Sequence, residues 1–231
     1  MSWSRGGMGE TMTPGRITVN QEVAFILSRP EMFIGRRWDS DGLYHLIFLI
    51  MQSSLDPAHA NQCSALDVVI EKDTVVSIQD NGRGLPVETV RIDQSVRLPK
   101  IEHVFSWMFT SNPLPSYYEK FGFLNYLGFV FNAMSRRLQI ETCFEGQGYE
   151  LTCAQGEIIK KLHKVADSRI QKGTRFTFTP DQAIFPVFQF DFESLHAKLR
   201  ALKDEFPAAS LTLEDRRSGE KIEIQKPVTS T

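Results

Sequence analysis

A segment whose alternating pattern ends in a carboxylate constrains the fold of this chain more than any other feature. Apolar residues alternate with polar ones on both sides of a turn at Lys72-Asp73, in the order Leu66, Val68, Ile70, Val76 and Ile78. This pattern is typical of a β-hairpin. Asp80 has the same parity as Ile78, so a regular strand directs its carboxylate to the buried face, where an unpartnered charge is unstable. The pattern therefore predicts a specific partner for Asp80.

Segments with helical spacing accompany the predicted strands. Apolar residues recur at this spacing over residues 19–29, 41–55, 101–109, 124–134 and 192–206. Further alternating strands cover residues 138–144 and 174–178, and a hairpin turns at Ser218-Gly219. Helices and strands in this order predict an α+β domain, a two-layer sandwich with helices on one face of a mostly antiparallel sheet.

One hydrophobic core is expected, flanked by short terminal segments. Residues 1–16 are rich in Gly, Ser, Thr and Met and lack periodicity, which is typical of a flexible N-terminal arm. Neither a linker nor an internal repeat divides residues 17–226, which we interpret as a single domain. Residues 227–231 are interpreted as a C-terminal tail.

The composition restricts the class of function. The 231 residues are 42% hydrophobic and 23% charged, as in globular proteins. Lys and Arg number 26 against 28 Asp and Glu, so with a net charge of -2 direct binding to DNA is not expected. The pairs Arg136-Arg137 and Arg216-Arg217 are interpreted as solvated loop charges.

The cysteines, histidines and apolar runs predict a cytoplasmic protein without a metal site. Three cysteines form no C-x-x-C pair, and five histidines lack metal-ligand spacing. An odd number of cysteines fits a reducing cytosol better than a disulfide framework. The longest apolar run, residues 46–51, is far shorter than the roughly 18 residues of a membrane span, so no membrane association is expected.

Five motifs together resemble a known family. Asp80-Asn81-Gly82-Arg83-Gly84-Leu85-Pro86 follows the second strand, and the other four lie in the same order as in that family, at residues 29–35 (R-P-E-M-F-I-G), 42–48 (G-L-Y-H-L-I-F), 132–135 (N-A-M-S) and 172–174 (K-G-T). Over residues 17–226 the chain resembles the ATPase domain of gyrase B and of its topoisomerase IV counterpart. The resemblance implies the GHKL (Bergerat) fold.

The adenine-binding half of the family's site is present in this sequence. In that family a strand-end aspartate binds the adenine amino group directly and through water. Two glycines lie beneath the adenine, an arginine and a proline wall the pocket, and a threonine helps to hold the water. Here Asp80 matches the aspartate, Gly82 and Gly84 match the glycines, Arg83 and Pro86 match the wall residues, and Thr174 matches the threonine. The resemblance therefore implies cofactor-binding roles for these six residues.

The phosphate-handling half departs from the family. The general-base glutamate is matched by Leu49, which cannot accept a proton from water, and the magnesium-binding asparagine by Ser53, whose hydroxyl is a poorer ligand than an amide carbonyl. Residues 121–127 (F-G-F-L-N-Y-L) replace the glycine-rich phosphate loop, and residues 110–113 (T-S-N-P) replace the small and basic residues of the lid. We therefore expect no catalytic residue and no metal ligand, with ATP or ADP bound weakly and without magnesium.

The sequence favours a pseudo-ATPase, an adenine-nucleotide-binding or regulatory module that acts through a protein partner. The resemblance implies that the partner is a gyrase or topoisomerase subunit, and that the chain is a monomer or a nucleotide-independent dimer. Two alternatives stay open: a slow ATPase of the type II topoisomerase family, and a gyrase mimic or decoy that binds no nucleotide.

Overall fold

The computed structural model describes residues 19–34, 40–56, 62–91, 97–107, 124–186 and 188–225, and within these it has six helices and ten strands. The helices are α1 (Val19–Ser28), α2 (Glu31–Ile34), α3 (Ser40–Leu55), α4 (Lys100–Ser106), α5 (Leu124–Ala133) and α6 (Phe192–Glu205). The strands are β1 (Ala65–Lys72), β2 (Val75–Asp80), β3 (Thr89–Arg91), β4 (Arg97–Pro99), β5 (Ser135–Phe144), β6 (Gln147–Ala154), β7 (Glu157–Val165), β8 (Gly173–Pro180), β9 (Ser210–Asp215) and β10 (Glu220–Glu223). The predicted arm and tail lie outside the described residues.

Eight of the described strands form one sheet in the order β10-β9-β1-β2-β8-β5-β6-β7. The neighbouring pairs are antiparallel except β1 and β9, which are parallel. Strands β3 and β4 form a separate antiparallel ribbon. The predicted α+β architecture with a mostly antiparallel sheet is confirmed. No helix in the described ranges is long and apolar enough to cross a membrane.

The core lies between one face of the sheet and the helices. Register aligns four buried side chains across neighbouring strands, namely Val68, Ile78, Phe176 and Ile140. The ring centroid of Phe176 lies 6.1 Å from that of Phe105 in α4 and 6.3 Å from that of Phe131 in α5. The adjacent register row, on the opposite face of the sheet, is polar and contains Asp67, Gln79, Arg175 and Glu141. Because only one face is apolar, the helices pack on that face.

Helix α4 is shorter than its apolar stripe predicts. The stripe continues to Phe109, but α4 ends at Ser106 and Trp107 is extended, with φ -143° and ψ 131°. The Trp107 ring packs edge-on against His103, with 5.4 Å between the ring centroids. Apolar periodicity reports which side chains can be buried, and it does not require the backbone to remain helical. Residues 108 and 109 lie outside the described residues.

An ion-pair cluster lies at the end of β1 opposite to the end that pairs with Asp80. Arg217 donates from Nε to Asp215 Oδ1 at 2.9 Å and from Nη2 to Oδ2 at 2.7 Å, and it also bridges to Asp73 at 3.3 Å. Asp215 is 5% exposed. Arg216 forms ion pairs of its own, although its side chain is 49% exposed. Both arginines lie exposed in the turn after β9, as the interpretation of solvated loop charges has it, and they are also held there in ion pairs.

Arg217→Ala is expected to lower the free energy of unfolding at pH 7 by about 1–3 kcal/mol, because it leaves Asp215 buried without its charged partner. The hydrogen bond from Arg217 lowers the pKa of Asp215. The stabilisation is therefore present above the pKa of the unfolded carboxyl, about 3.9, and is lost as the pH falls through the lower folded-state pKa. Urea unfolding at pH 7 and at successively lower pH measures both effects.

Arg216→Ala is the matched control for this prediction. It removes the same charge from the neighbouring position, but its ion pairs are more exposed, so the expected loss is below about 1 kcal/mol. Equal losses from the two variants would show that burial of Asp215 is not what makes the Arg217 pair important.

Candidate functional site

Asp80 lies at the carboxyl end of β2, buried in the interior with 3% of its surface exposed. Its Oδ1 accepts hydrogen bonds from the backbone N–H of Gly82 at 2.8 Å and from that of Thr174 at 3.3 Å. The first bond closes the turn that follows β2, and the second joins this turn to β8. Strand parity correctly placed the carboxylate on the buried face, and the partners it requires are backbone amides.

Two glycines with positive φ bring the backbone segments around Asp80 into close contact. A Cβ on Gly173 (φ +80°) would lie 2.0 Å from the carbonyl oxygen of Asp80, and one on Gly84 (φ +80°) would lie 2.1 Å from the carbonyl oxygen of Cys143. Real Cβ atoms do not approach backbone oxygens so closely, so both positions require glycine. Gly84 was a predicted site residue, whereas Gly173 was noted only as part of a motif.

A buried pair of threonine hydroxyls supports the same turn from β5 and β8. The Oγ1 atoms of Thr142 and Thr174 are 3.0 Å apart, and Thr142 Oγ1 accepts a hydrogen bond from the N–H of Leu85 at 2.8 Å. Thr142 Oγ1 also lies 3.4 Å from the Gly173 carbonyl oxygen, to which it donates. Thr142 was not predicted as a site residue. The sequence does contain a hint of its role, because this threonine occupies one of the positions that are otherwise apolar in the alternating pattern over residues 138–144.

Asn81 fixes the start of β1 beside the Asp80 turn. Its Oδ1 accepts from the N–H groups of Ser64 and Ala65 at 2.9 and 3.0 Å. Cys63 lies beside the start of β1, with its Sγ 3.2 Å from the Ala65 carbonyl oxygen. Burial, and to a lesser extent the charge of Asp80, raise the pKa of its thiol to about 11. The thiol is therefore neutral at pH 7, and the Asp80 carboxylate contributes to keeping it so.

A cleft of about 280 Å³ opens at the edge of this turn. It is lined by Gly82, Arg83, Cys143, Phe144, Glu145, Gly146, Gln171 and Lys172. Arg83 is exposed at the cleft, whereas Pro86 is buried. Of the six predicted site residues, backbone and side-chain contacts bring Asp80, Gly82 and Thr174 together directly. Gly84 lies beside the Thr142 hydroxyl, which is hydrogen-bonded to that of Thr174. Arg83 borders the outer cleft.

Helix α3 carries the two positions that the resemblance matches to the general base and to the magnesium ligand. Leu49 is half-buried and packs against the hydrophobic core. Ser53 is 6% exposed, and its hydroxyl donates to the Ile50 carbonyl of its own helix at 2.9 Å. Gln52, between them, donates to both carboxylate oxygens of Glu205 in α6 at 2.8 and 2.9 Å. These side chains are thus engaged within the protein.

The predicted phosphate loop and lid are only partly described. Residues 110–113 and 121–123 lie outside the described residues. Residues 124–127 form the first turns of α5, and Leu124 and Leu127 are both buried.

The sheet with its single parallel pair, the helices on one face and the glycine turn after a buried strand-end aspartate define a GHKL-type two-layer sandwich. The family model described as "Histidine kinase-, DNA gyrase B-, and HSP90-like ATPase" matches residues 38–184, and the chain belongs to this family.

Curated relatives and a solved structure agree with this assignment. The chain is 32% identical over 211 residues to DNA gyrase B of Haloferax volcanii, covering 89% of this chain and 32% of that protein. It is 31% identical over 196 residues to the B-type subunit of the type 2 topoisomerase of Aquifex aeolicus, covering 84% of this chain and 24% of that protein. The 43K ATPase domain of Thermus thermophilus gyrase B, solved in complex with an aminocoumarin, superposes with a TM-score of 0.72 at 25% identity, covering 88% of this chain and 51% of that one. The chain thus spans about a third or less of the length of these curated relatives.

Proposed function

We propose that this chain is a gyrase-B-like module that binds adenine nucleotides without hydrolysing ATP and that acts through a protein partner. The observation that carries the proposal is the packing of Leu49 against the hydrophobic core, at the position that the family resemblance assigns to the general base. A positioned general base contributes about 10²- to 10⁴-fold to a rate, and an aliphatic side chain contributes none of it.

The surroundings of Ser53 support the same proposal. In the resembling enzymes the matching residue holds magnesium, which needs oxygen ligands at near-octahedral geometry. The Ser53 hydroxyl is only 6% exposed and is hydrogen-bonded to the Ile50 carbonyl of its own helix at 2.9 Å, so it is turned towards α3 and not towards solvent. Because a buried hydroxyl is a poorer magnesium ligand than an amide carbonyl, we propose that ATP or ADP is held weakly and without magnesium.

The adenine side of the site fits the ligand better. Asp80 presents a buried carboxylate, a group that accepts hydrogen bonds from the amino group of adenine. The backbone N–H of the buried Thr174 donates to this carboxylate from β8. The positive φ of Gly84 lets the turn pack closely against β5. We propose Asp80, Gly82, Arg83, Gly84, Pro86 and Thr174 as the adenine-binding set.

The names of the relatives support action through a partner. They are designated subunits of gyrase and of type 2 topoisomerase, and this chain spans only a minor part of their length. We therefore propose that the partner is a gyrase or topoisomerase subunit in the cytoplasm, and that the chain is a monomer or a dimer whose formation ignores ATP. The net charge of -2 supports contact with protein rather than with DNA directly.

The purified chain is expected to hydrolyse ATP no faster than a protein-free blank, with or without magnesium, because no carboxylate stands at the general-base position. A coupled ATPase assay on the wild-type chain, Asp80→Ala and Asp204→Ala measures this. Asp204 is an exposed acid on α6 and serves as the control. Magnesium-dependent turnover that disappears in Asp80→Ala and persists in Asp204→Ala would establish a slow ATPase instead.

A further inference from the structure

A cavity of about 480 Å³ lies between the β5–β6 turn and the loop over residues 166–172, which joins β7 to β8. Its size falls within the range of about 300–1,000 Å³ that is typical of sites for small molecules. Cys143, Gly146 and Gln171 line this cavity and also the 280 Å³ cleft beside the Asp80 turn, so the two spaces are neighbours. None of the six proposed adenine-binding residues is among the described residues that line the larger cavity.

Hydrogen bonds and close packing hold the 166–172 loop in place. Ser168 Oγ donates to the Ile170 carbonyl at 2.9 Å and accepts from the Ile170 N–H at 3.2 Å. Ile170 is 1% exposed and anchors the loop in the interior. A Cβ on Gly148 would lie 2.3 Å from Ser168 Cβ, so the loop packs directly on β6. The cavity is therefore preformed, and a ligand does not have to spend binding free energy on ordering this loop.

Two opposite charges line the cavity without pairing with each other. Asp167 and Arg169 are both exposed at its wall. Within the described ranges, neither side chain forms a hydrogen bond or an ion pair, and the charge of Arg169 acts only at longer range, on Glu141 in β5. Charges on an exposed loop are commonly just solvated. These two differ because a preformed cavity presents both to the same ligand.

Two amide side chains add hydrogen-bond acceptors to the wall. Gln147 Nε2 donates to the carbonyls of Gly148 at 3.0 Å and of Val165 at 3.3 Å, and Gln171 Nε2 donates to the Ser168 carbonyl at 3.0 Å. In the part of the chain that the structure describes, the Oε1 atoms of both glutamines accept no hydrogen bond. Each Oε1 can therefore accept from a donor on a ligand.

We propose that this cavity binds a free α-amino acid with a polar, uncharged side chain. Arg169 binds the carboxylate, for which a guanidinium group is suited by its paired donors, and Asp167 binds the ammonium group. Gln147 and Gln171 accept from the side chain. A phosphate would place negative charge beside Asp167, and a polyamine would place positive charge beside Arg169, whereas a ligand with one charge of each sign attracts both. The site goes beyond the proposed nucleotide binding and does not depend on it.

A saturation-transfer NMR titration of the full chain with L-glutamine tests the proposal. Two derivatives serve as probes of the separate charges, since L-glutaminamide lacks the carboxylate and N-acetyl-L-glutamine lacks the ammonium group. Each derivative is expected to bind about tenfold or more weakly than L-glutamine, because one charge-assisted hydrogen bond is lost. The derivatives also represent a glutamine inside a peptide, so they distinguish a free amino acid from a protein segment.

Variants of the two charged residues assign each charge to its partner. Arg169→Gln is expected to weaken L-glutamine about tenfold or more and to leave L-glutaminamide within about twofold, because that derivative has no carboxylate to lose. Asp167→Asn is expected to weaken L-glutamine similarly and to leave N-acetyl-L-glutamine within about twofold. Arg137→Gln, at an exposed position of β5 outside the cavity, is the matched control and should change no affinity. Because all three positions are exposed, the variants should fold normally.

Several outcomes would overturn the proposal. Absence of saturation transfer to L-glutamine, L-serine and L-asparagine alike would exclude this class of ligand. Equal affinity for L-glutamine in the wild type, Arg169→Gln and Asp167→Asn would place the binding elsewhere on the protein. A derivative that binds as tightly as L-glutamine would show that one charge is enough. Inorganic phosphate that binds more tightly than L-glutamine, and is lost in Arg169→Gln, would make the cavity an anion site.

Discussion

Gly173→Ala is expected to lower the free energy of unfolding by about 2–5 kcal/mol, a large effect for a single methyl group. About 1–2 kcal/mol comes from placing an L-residue at positive φ, and about 1–3 kcal/mol from the overpacking that the new methyl group causes. The added Cβ would lie 2.0 Å from the Asp80 carbonyl oxygen and 2.8 Å from Asp80 Oδ1. Urea unfolding followed by circular dichroism measures the loss.

Gly146→Ala separates the two contributions. Gly146 has nearly the same φ, +77°, but a Cβ there meets nothing within 4 Å. Only the conformational cost of about 1–2 kcal/mol is therefore expected for this variant. If both variants lose the same stability, the contact between β8 and the Asp80 turn is looser than the structure has it.

Asp80→Asn is expected to weaken the binding of adenosine and of ATP about tenfold or more while leaving the fold intact. The amide oxygen of asparagine can still accept from the N–H groups of Gly82 and Thr174, which explains why the fold should survive. Its NH₂ group, however, is a donor where the carboxylate offered only acceptors, so it opposes the adenine amino group. Each charge-assisted hydrogen bond lost costs about 1.5–3 kcal/mol, and about 1.4 kcal/mol is tenfold in affinity.

Isothermal titration with ATP, ADP and adenosine, with and without magnesium, measures this prediction. We expect adenosine to bind nearly as well as ATP, and a gyrase ATPase inhibitor that anchors on the same aspartate to bind best. Asp67→Asn is the control, because Asp67 lies on the opposite face of the sheet and bonds to Thr212. Tight, magnesium-dependent ATP binding without adenosine binding would reverse our interpretation of the site, and no binding of either would support the decoy alternative.

Local patterns predicted the parts of the site that one segment determines. Strand parity predicted the burial of Asp80, and the glycine motif after it contains Gly84, which has positive φ in the structure. The contributions of Gly173 and Thr142 depend on the pairing of β8 with β2 and β5, which no local pattern contains. The same limit explains Arg217, whose partner Asp73 lies 144 residues away in sequence. The roles of Leu49 and Ser53 stay predictions, since they rest on the family resemblance.

The parallel pairing of β1 with β9 has a consequence during synthesis. Strand β1 lies between β2 and β9, and residues 210–215 leave the ribosome long after residues 65–72. At about 5–20 residues per second the delay is roughly 7–30 s. Throughout this interval the nascent chain carries a largely apolar strand with one unpaired edge, the kind of surface that recruits chaperones or other unfinished chains. The yield of folded protein should therefore depend on how fast the segment between β1 and β9 is made.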